Sequence, residues 1–307
     1  MDKFRPGVLF SGQGAQEVGM GMSLLEESPL VQERLNAADD LLGWKLSRIM
    51  FEGPAEELTE TRVCQPALFV HGIILYELLL EKGVIHGPAA VSGLSLGELT
   101  ALTVGGAMDF ETGLRLVAER GRLMQEACEK THGSMASVIG GSREEVSALC
   151  EECDVEMANL NCPGQIVISG EKDRIVAAVA LGKDKGFKLV KELVVAGAYH
   201  SSLMESARDE FAPYVESAEI GEPFCPFYAN VSGGRVSTPQ DIRKGLVAQV
   251  VSPVLFEDCM RSMAGEQSEP IELVECGPGK IIAGLIRRTD RSWSSRSFAE
   301  VDDFSVE

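Results

Sequence analysis

The sequence predicts an α/β protein, a body built on a mostly parallel sheet and interrupted by a smaller inserted subdomain. Three observations carry this. Short apolar runs bounded by glycine turns alternate with helical stretches over residues 1–130 and again after residue 198, the alternation that builds parallel sheets. Between them the order becomes strand, helix, strand, strand, helix, strand, a split βαβ or ferredoxin-like unit. The 307-residue length accommodates both parts with a core that needs no covalent staples.

Gly7-Val-Leu-Phe10 reads as a buried strand, ended by the turn Ser11-Gly12-Gln13-Gly14. Residues 65–82 form a helix entered near Pro66, which a first helical turn tolerates. Residues 89–92 are the second strand, followed by Gly93-Leu-Ser-Leu-Gly-Glu98 and a short helix that stops at Gly105-Gly106. Asp109 caps the next helix, 111–129, where Leu114, Val117, Ala118, Gly121, Met124 and Cys128 make one apolar stripe. In the insert, 135–139 is a strand and Ser142-Arg-Glu-Glu145 is a capping box opening a helix to Cys153. Strands 155–161 and 165–169 form a hairpin around Cys162-Pro163-Gly164; a helix over 171–182 and a strand over 187–195 follow. The body resumes with a helix from His200 to 216, a strand at 224–231, a helix at 239–250, a strand at 272–276 and a helix from Gly277-Pro278-Gly279 to 288. The expected organisation is therefore 1–130 and 198–291 for the body, 131–197 for the insert, and 292–307 for a tail. That tail lacks apolar periodicity and is expected to be loose.

Composition narrows the function. With 28 basic and 47 acidic side chains the chain carries a formal charge of −19, against nucleic acid and against anionic membrane surfaces. The longest apolar stretch, 67–80, has 14 residues, short of the ~20 that span a bilayer. No cleavage signal follows the apolar run at 7–10, so no secretory leader is expected. The eight cysteines lack framework spacing and read as reduced cytoplasmic thiols. The one close pair, Cys150 and Cys153, has no second pair to complete a metal site, and none is expected.

The chemistry lies in Gly93-x-Ser95-x-Gly97, placed between a strand and a helix. This is the nucleophile-elbow pattern, in which glycines permit a turn that lifts the serine hydroxyl off the sheet and points the next backbone N–H at the same space. A serine nucleophile needs a base. Of the four histidines, His71 lies inside an apolar helix and reads as a packed or partly exposed helical residue, while His86 and His132 lie in glycine-adjacent loops. His200, between a strand and a helix, stands where α/β folds project side chains into a crevice, and is the best candidate. No triad acid emerges. Arg120 lies about 90° from the centre of its helix's apolar stripe; by itself it reads as a boundary arginine reaching solvent.

Seven blocks together give the chain a resemblance that runs from Phe10 to about Arg288. They are Phe10-Ser-Gly-Gln-Gly-Ala-Gln16, Gln65-Pro-Ala67, Gly93-Leu-Ser-Leu-Gly-Glu98, Arg120-Gly-Arg-Leu-Met-Gln125, Ala158-Asn-Leu-Asn-Cys-Pro-Gly-Gln165, Gly197-Ala-Tyr-His-Ser201 and Glu275-Cys-Gly-Pro-Gly-Lys280. The sequence resembles the malonyl-CoA:acyl-carrier-protein transacylases, acyltransferases of fatty-acid and polyketide synthesis. The resemblance implies an α/β-hydrolase-like body with a ferredoxin-like insert. It implies Ser95 as the acyl-carrying nucleophile and His200 as the base. The backbone carbonyl of Gln249, four residues before Pro253, would orient His200 in place of a carboxylate, and the N–H groups of Gln13 and Leu96 would form the oxyanion hole. Arg120 would grip the malonyl carboxylate, because a planar guanidinium binds a carboxylate through two hydrogen bonds. Gln125 is expected to be buried and hydrogen-bonded, without an assigned role. No cofactor is implied; the substrate is malonyl-CoA and the phosphopantetheine arrives on acyl carrier protein.

The chain departs from the family pattern at Leu94, where histidine is usual, and at Ser11 and Ala15, where proline and serine are usual. Tyr199 replaces the commoner phenylalanine; a bulky aromatic there resembles malonyl-selective members. An acidic carrier meeting a chain of this charge calls for locally basic surface. Lys183, Lys185, Lys188 and Lys191, with Arg287, Arg288 and Arg291, are the candidates. Other readings are a separate acyltransferase serving a polyketide or polyunsaturated-lipid synthase, a serine thioesterase, and a non-catalytic binding module.

Overall fold

The computed structural model describes residues 4–266 and 271–305; the outermost ends of the expected body and tail lie outside them. In chain order the body contributes β1 (Gly7–Phe10), α1 (Pro29–Leu42), α2 (Leu46–Glu52), α3 (Ala55–Thr59), α4 (Thr61–Glu81), β2 (Ala90–Gly93), α5 (Gly97–Val104) and α6 (Phe110–Lys130). Then come β3 (Gly133–Ile139), α7 (Arg143–Cys153), β4 (Glu156–Cys162), β5 (Gln165–Glu171), α8 (Lys172–Asp184) and β6 (Leu189–Glu192). The chain closes with α9 (Glu205–Ser217), β7 (Phe227–Ala229), β8 (Gly234–Val236), α10 (Pro239–Gln249), α11 (Phe256–Gly265), β9 (Leu273–Cys276), α12 (Ile281–Thr289) and β10 (Ser295–Phe298).

Two sheets result. The larger has the order β10-β9-β1-β2-β7-β8, parallel throughout except for β8, which runs antiparallel on the edge. Its inner strands β1, β2, β7 and β9 are buried along their whole length, which is why they read as continuous apolar runs rather than alternating ones. The smaller sheet is antiparallel with order β4-β5-β3-β6, the strand order of a ferredoxin-like unit. The fold is α/β with two subdomains, as the sequence predicts. The insert joins the body where the Leu160 N–H donates to the Val254 carbonyl and the Val254 N–H donates to the Ala158 carbonyl, and where Glu156 accepts from the N–H and hydroxyl of Ser202.

Three local expectations are corrected. The tail is not loose: Ser295–Phe298 pairs parallel with β9, and Phe298 is buried and stacked at a tilt on Phe304, 5.3 Å away. The tie is Glu275, whose carboxylate accepts from the N–H groups of Ile282 and Ala283 at the start of α12 and from the Ser297 hydroxyl. The helix expected to begin near Pro66 begins at Thr61, with Pro66 inside its second turn. Its first N–H is satisfied from outside, by the Gln125 side chain at 3.0 Å, so the start needs no local cap. Gln125 is correspondingly part-exposed rather than buried. Finally, α4 is a 21-residue helix, long and apolar enough by composition to cross a membrane, but its apolar window is 89% buried inside the protein. It packs on α6 as a core helix, and His71 within it is fully buried, its Nε2 on the Ala299 carbonyl at 3.1 Å.

Candidate active site

The site assembles at the carboxyl ends of the parallel strands, where open α/β sheets place their ligands. At the end of β2 the chain turns sharply into α5. A Cβ on Gly93 would lie 2.0 Å from the Gly97 carbonyl carbon, and one on Gly97 would lie 2.2 Å from the Phe10 carbonyl oxygen, so only glycine fits at either position. Ser95 between them has φ 53, in the left-handed region, a conformation that costs a non-glycine residue about 1–3 kcal/mol and that the surroundings must impose. His200 is held the same way, at φ 58. These two strained residues meet: Ser95 Oγ lies 2.8 Å from His200 Nε2.

The other ring nitrogen, Nδ1, lies 2.8 Å from the Gln249 carbonyl. Gln249 ends α10, and a helix's last carbonyls have no intrahelical partner, so this one is free to hold the ring. A carbonyl only accepts, so Nδ1 carries the proton and Nε2 presents its lone pair to the Ser95 hydroxyl. His200 is 3% exposed; burial first, then the nearby positive charge of Arg120, pushes its pKa down to about 3 against the opposing pull of the Gln249 carbonyl. The ring is a neutral base at physiological pH.

Arg120 does not snorkel. It is 1% exposed and turns inward, Nη1 donating to Gln65 Oε1 at 2.7 Å, Nη2 to Gln249 Oε1 at 2.7 Å and to Ser95 Oγ at 3.1 Å. Its Nε has no partner. Burial brings its pKa down to about 10, with the Glu98 carboxylate opposing, so it keeps its charge. Glu98, on the first turn of α5, is also 1% exposed. Burial pushes it up to about 7 against hydrogen bonds from Gln249 and the Asn230 N–H and the charge of Arg120.

Asn230, just past β7, pins the elbow from below: its Oδ1 accepts from the Ser95 N–H at 2.8 Å and its Nδ2 donates to the Gly93 carbonyl at 2.8 Å. The first loop approaches from the other side, where a Cβ on Gly12 would lie 2.4 Å from the Leu94 carbonyl oxygen. This brings Gln13 beside the elbow; its side chain reaches the Tyr199 hydroxyl at 3.3 Å, which in turn contacts Thr61 Oγ1 at 2.5 Å. Gln13, Leu94, Ser95, Leu96, His200, Gln65 and Tyr199 line one cleft of about 540 Å³, walled on the insert side by Asn161, Gln165 and Val194. A larger cavity of about 880 Å³, between Trp44, Leu116 and Tyr214, contains none of them.

Of the basic residues singled out in the sequence, Lys183, Lys185, Lys188, Lys191, Arg287, Arg288 and Arg291 are all exposed. Lys185 pairs with Glu152 at 2.6 Å and Arg288 reaches Gln165, a cleft residue. Cys150 and Cys153 are free thiols at the end of α7, and among the described residues no group of three or more His, Cys, Asp or Glu side chains is arranged to hold a metal. Sequence reasoning assigned no part to Asn230, Glu98 or Gln65. The available signals were a polar residue directly after a strand of the parallel sheet and a carboxylate on the otherwise apolar helix GELTALTV.

Known proteins resemble the chain over nearly its whole length. The acyl transferase domain family matches residues 8–303. The malonyl CoA-acyl carrier protein transacylase of Bacillus subtilis is 37% identical over 288 residues, covering 92% of this chain and 90% of that protein. Among solved structures, an acyl carrier protein S-malonyltransferase from Vibrio cholerae aligns with a TM-score of 0.92 at 34% identity over 99% of both chains. A malonyl-transacylase in complex with a type II PKS acyl-carrier protein aligns equally well, 0.92 at 34% identity over 97% of both. The chain is an acyltransferase and belongs to the malonyl-CoA:acyl-carrier-protein transacylase family.

Proposed function

We propose that this protein transfers the malonyl group of malonyl-CoA to the phosphopantetheine thiol of acyl carrier protein, in two half-reactions through a malonyl-Ser95 ester. The observation that carries the assignment of residues is the convergence of His200 Nε2 and Arg120 Nη2 on Ser95 Oγ, at 2.8 and 3.1 Å. Ser95 attacks the thioester carbonyl while its proton passes to His200 Nε2. The oxyanion takes the N–H groups of Leu96 and Gln13, a pair whose single members are usually worth about 10²–10³ in rate. Collapse breaks the C–S bond, and the CoA thiolate leaves with the proton from His200. The ester waits with its carboxylate on Arg120. The pantetheine thiol then attacks, giving its proton to His200, which returns it to Ser95. Every proton is accounted for by one imidazole, and the reaction needs no cofactor.

The division into a body (1–130 and 198–291) and an insert (131–197) gives the cleft two walls, with CoA and carrier entering between them. Lys188, just before β6, and Lys191, on β6 near the cleft segment that follows it, supply the basic rim for an acidic carrier. We place the enzyme in the cytoplasm, a reading supported by eight unpaired cysteines. The acceptor in view is the carrier of fatty-acid synthesis; a polyketide carrier is the second reading, supported by the neighbour held with one. Intact-protein mass spectrometry after mixing with malonyl-CoA should show one malonyl adduct, missing in Ser95→Ala; no adduct on the unsubstituted enzyme would sink the assignment.

A further inference from the structure

The side-chain amide of Gln249 sits among acceptors on one side and a donor on the other. Its Nε2 faces the Glu98 carboxylate, the Ser95 carbonyl at 3.0 Å and Asn230 Oδ1 at 3.1 Å. Its Oε1 accepts from Arg120 Nη2 at 2.7 Å. The orientation of Asn230 is itself fixed, since its Oδ1 already accepts from the Ser95 N–H while its Nδ2 donates to Gly93. Rotating the Gln249 amide by half a turn would therefore set an oxygen against three acceptors and an NH₂ against a guanidinium, which has no acceptor. Glu98 is the only ionisable member of the three acceptors, is buried at 1% exposure, and its side chain makes no hydrogen bond to Ser95 Oγ or to the His200 ring.

We propose that Glu98 is a specificity-determining positioning residue. By fixing the Gln249 amide with its oxygen outward, it aims the Arg120 guanidinium at the carboxylate of the incoming acyl group. Its effect reaches recognition of the charged acyl group and spares the serine–histidine pair, because His200 is held by the Gln249 backbone carbonyl, which α10 places independently of the side chain. The proposal rests on Arg120 binding the malonyl carboxylate.

The test is Glu98→Gln, equal in size but neutral at every pH, so that the Gln249 amide keeps the Ser95 carbonyl and Asn230 Oδ1 and loses its hold on a carboxylate. Its kcat/KM for malonyl-CoA should fall roughly 10- to 100-fold, the usual effect of losing one charge-assisted hydrogen bond. Its kcat/KM for acetyl-CoA and the rate at which a fluorophosphonate modifies Ser95 should stay within about twofold. Glu98→Asp, keeping the carboxylate, should recover part of the preference for malonyl. An equal loss with both donors and the fluorophosphonate, or no loss at all, overturns the proposal. Arg120→Met run in parallel separates the two layers: if it leaves the preference intact, the reading of Arg120 is wrong. If it removes the preference while Glu98→Gln does not, only the role of Glu98 is wrong. Should Glu98→Gln fail to fold, NMR of the unsubstituted protein decides. A Gln249 side-chain proton well downfield of ordinary glutamine amides and protected from exchange supports the fixed amide, and an ordinary, rapidly exchanging one overturns it.

Discussion

Replacing Arg120 by methionine tests the recognition of the acyl carboxylate, and its size can be worked from the site. A guanidinium has five N–H donors. Arg120 spends three hydrogen bonds on Gln65, Gln249 and Ser95 and leaves Nε without a partner, so a carboxylate would take the Nε–Nη2 edge by displacing the 3.1 Å contact to Ser95 Oγ, while Gln65 and Gln249 keep the guanidinium in place. Two charge-assisted hydrogen bonds contribute about 1.5–3 kcal/mol each, or ~3–6 kcal/mol together, which is about 10²–10⁴ in kcat/KM. Methionine is apolar and comparably long. The substitution strands Gln65 Oε1 and Gln249 Oε1, at about 1–3 kcal/mol each, but removes a buried charge whose desolvation costs several kcal/mol, so the fold should survive. The assay is stopped-flow acylation with malonyl-CoA and acetyl-CoA as separate donors. The ratio of their kcat/KM values should fall by about 10²–10⁴. Both rates falling together, with the ratio unchanged, would refute the argument and make Arg120 a structural residue.

Three further outcomes follow from the same geometry. Because burial holds the His200 pKa near 3 rather than 6.5, the ring stays neutral as pH falls. Fluorophosphonate modification of Ser95 should therefore hold constant from about pH 8 to about pH 5, and an acidic limb centred near 6.5 would contradict it. Charge reversal at Lys188 and Lys191 should raise KM for carrier protein several-fold, roughly, and weaken its salt dependence, while acylation of Ser95 by malonyl-CoA is unchanged; an equal effect on both half-reactions would remove them from the carrier rim. Phe298→Ala should cost about 3–5 kcal/mol in urea unfolding if the last strand belongs to the body; a change within about 0.5 kcal/mol would return it to a loose tail.

What the sequence made legible was local. The elbow is five consecutive residues whose glycines are demanded by contacts of 2.0–2.2 Å, and the capping box at Ser142 forms as written. His200 could be singled out because it lies at a strand-to-helix junction. Gln249 entered only through the family resemblance, since a backbone carbonyl that orients a ring has no residue-type signature. Asn230 and Glu98 were missed because their parts arise from tertiary convergence: Asn230 meets Ser95 across 135 positions of chain. The bare sequence also misjudged Arg120, since angle on a helix says nothing about a second helix, α4, covering that side. The last strand, SRSF, carries no alternation; its state is decided by the exposed edge of β9 and by Glu275. Residues 29–59 fold into three short helices that the apolar pattern did not reveal, among them α1, which opens with a Ser28 cap followed by Pro29.

The central claim is a malonyl group that waits on Ser95 for a carrier thiol. Malonyl-enzyme freed of CoA by rapid gel filtration, then mixed with holo acyl carrier protein, measures this directly. The account predicts that the malonyl group moves to the phosphopantetheine of the holo carrier, that apo carrier leaves the adduct in place, and that hydrolysis is slow beside transfer. Release of free malonate at the same rate with and without holo carrier would contradict it and describe a thioesterase instead.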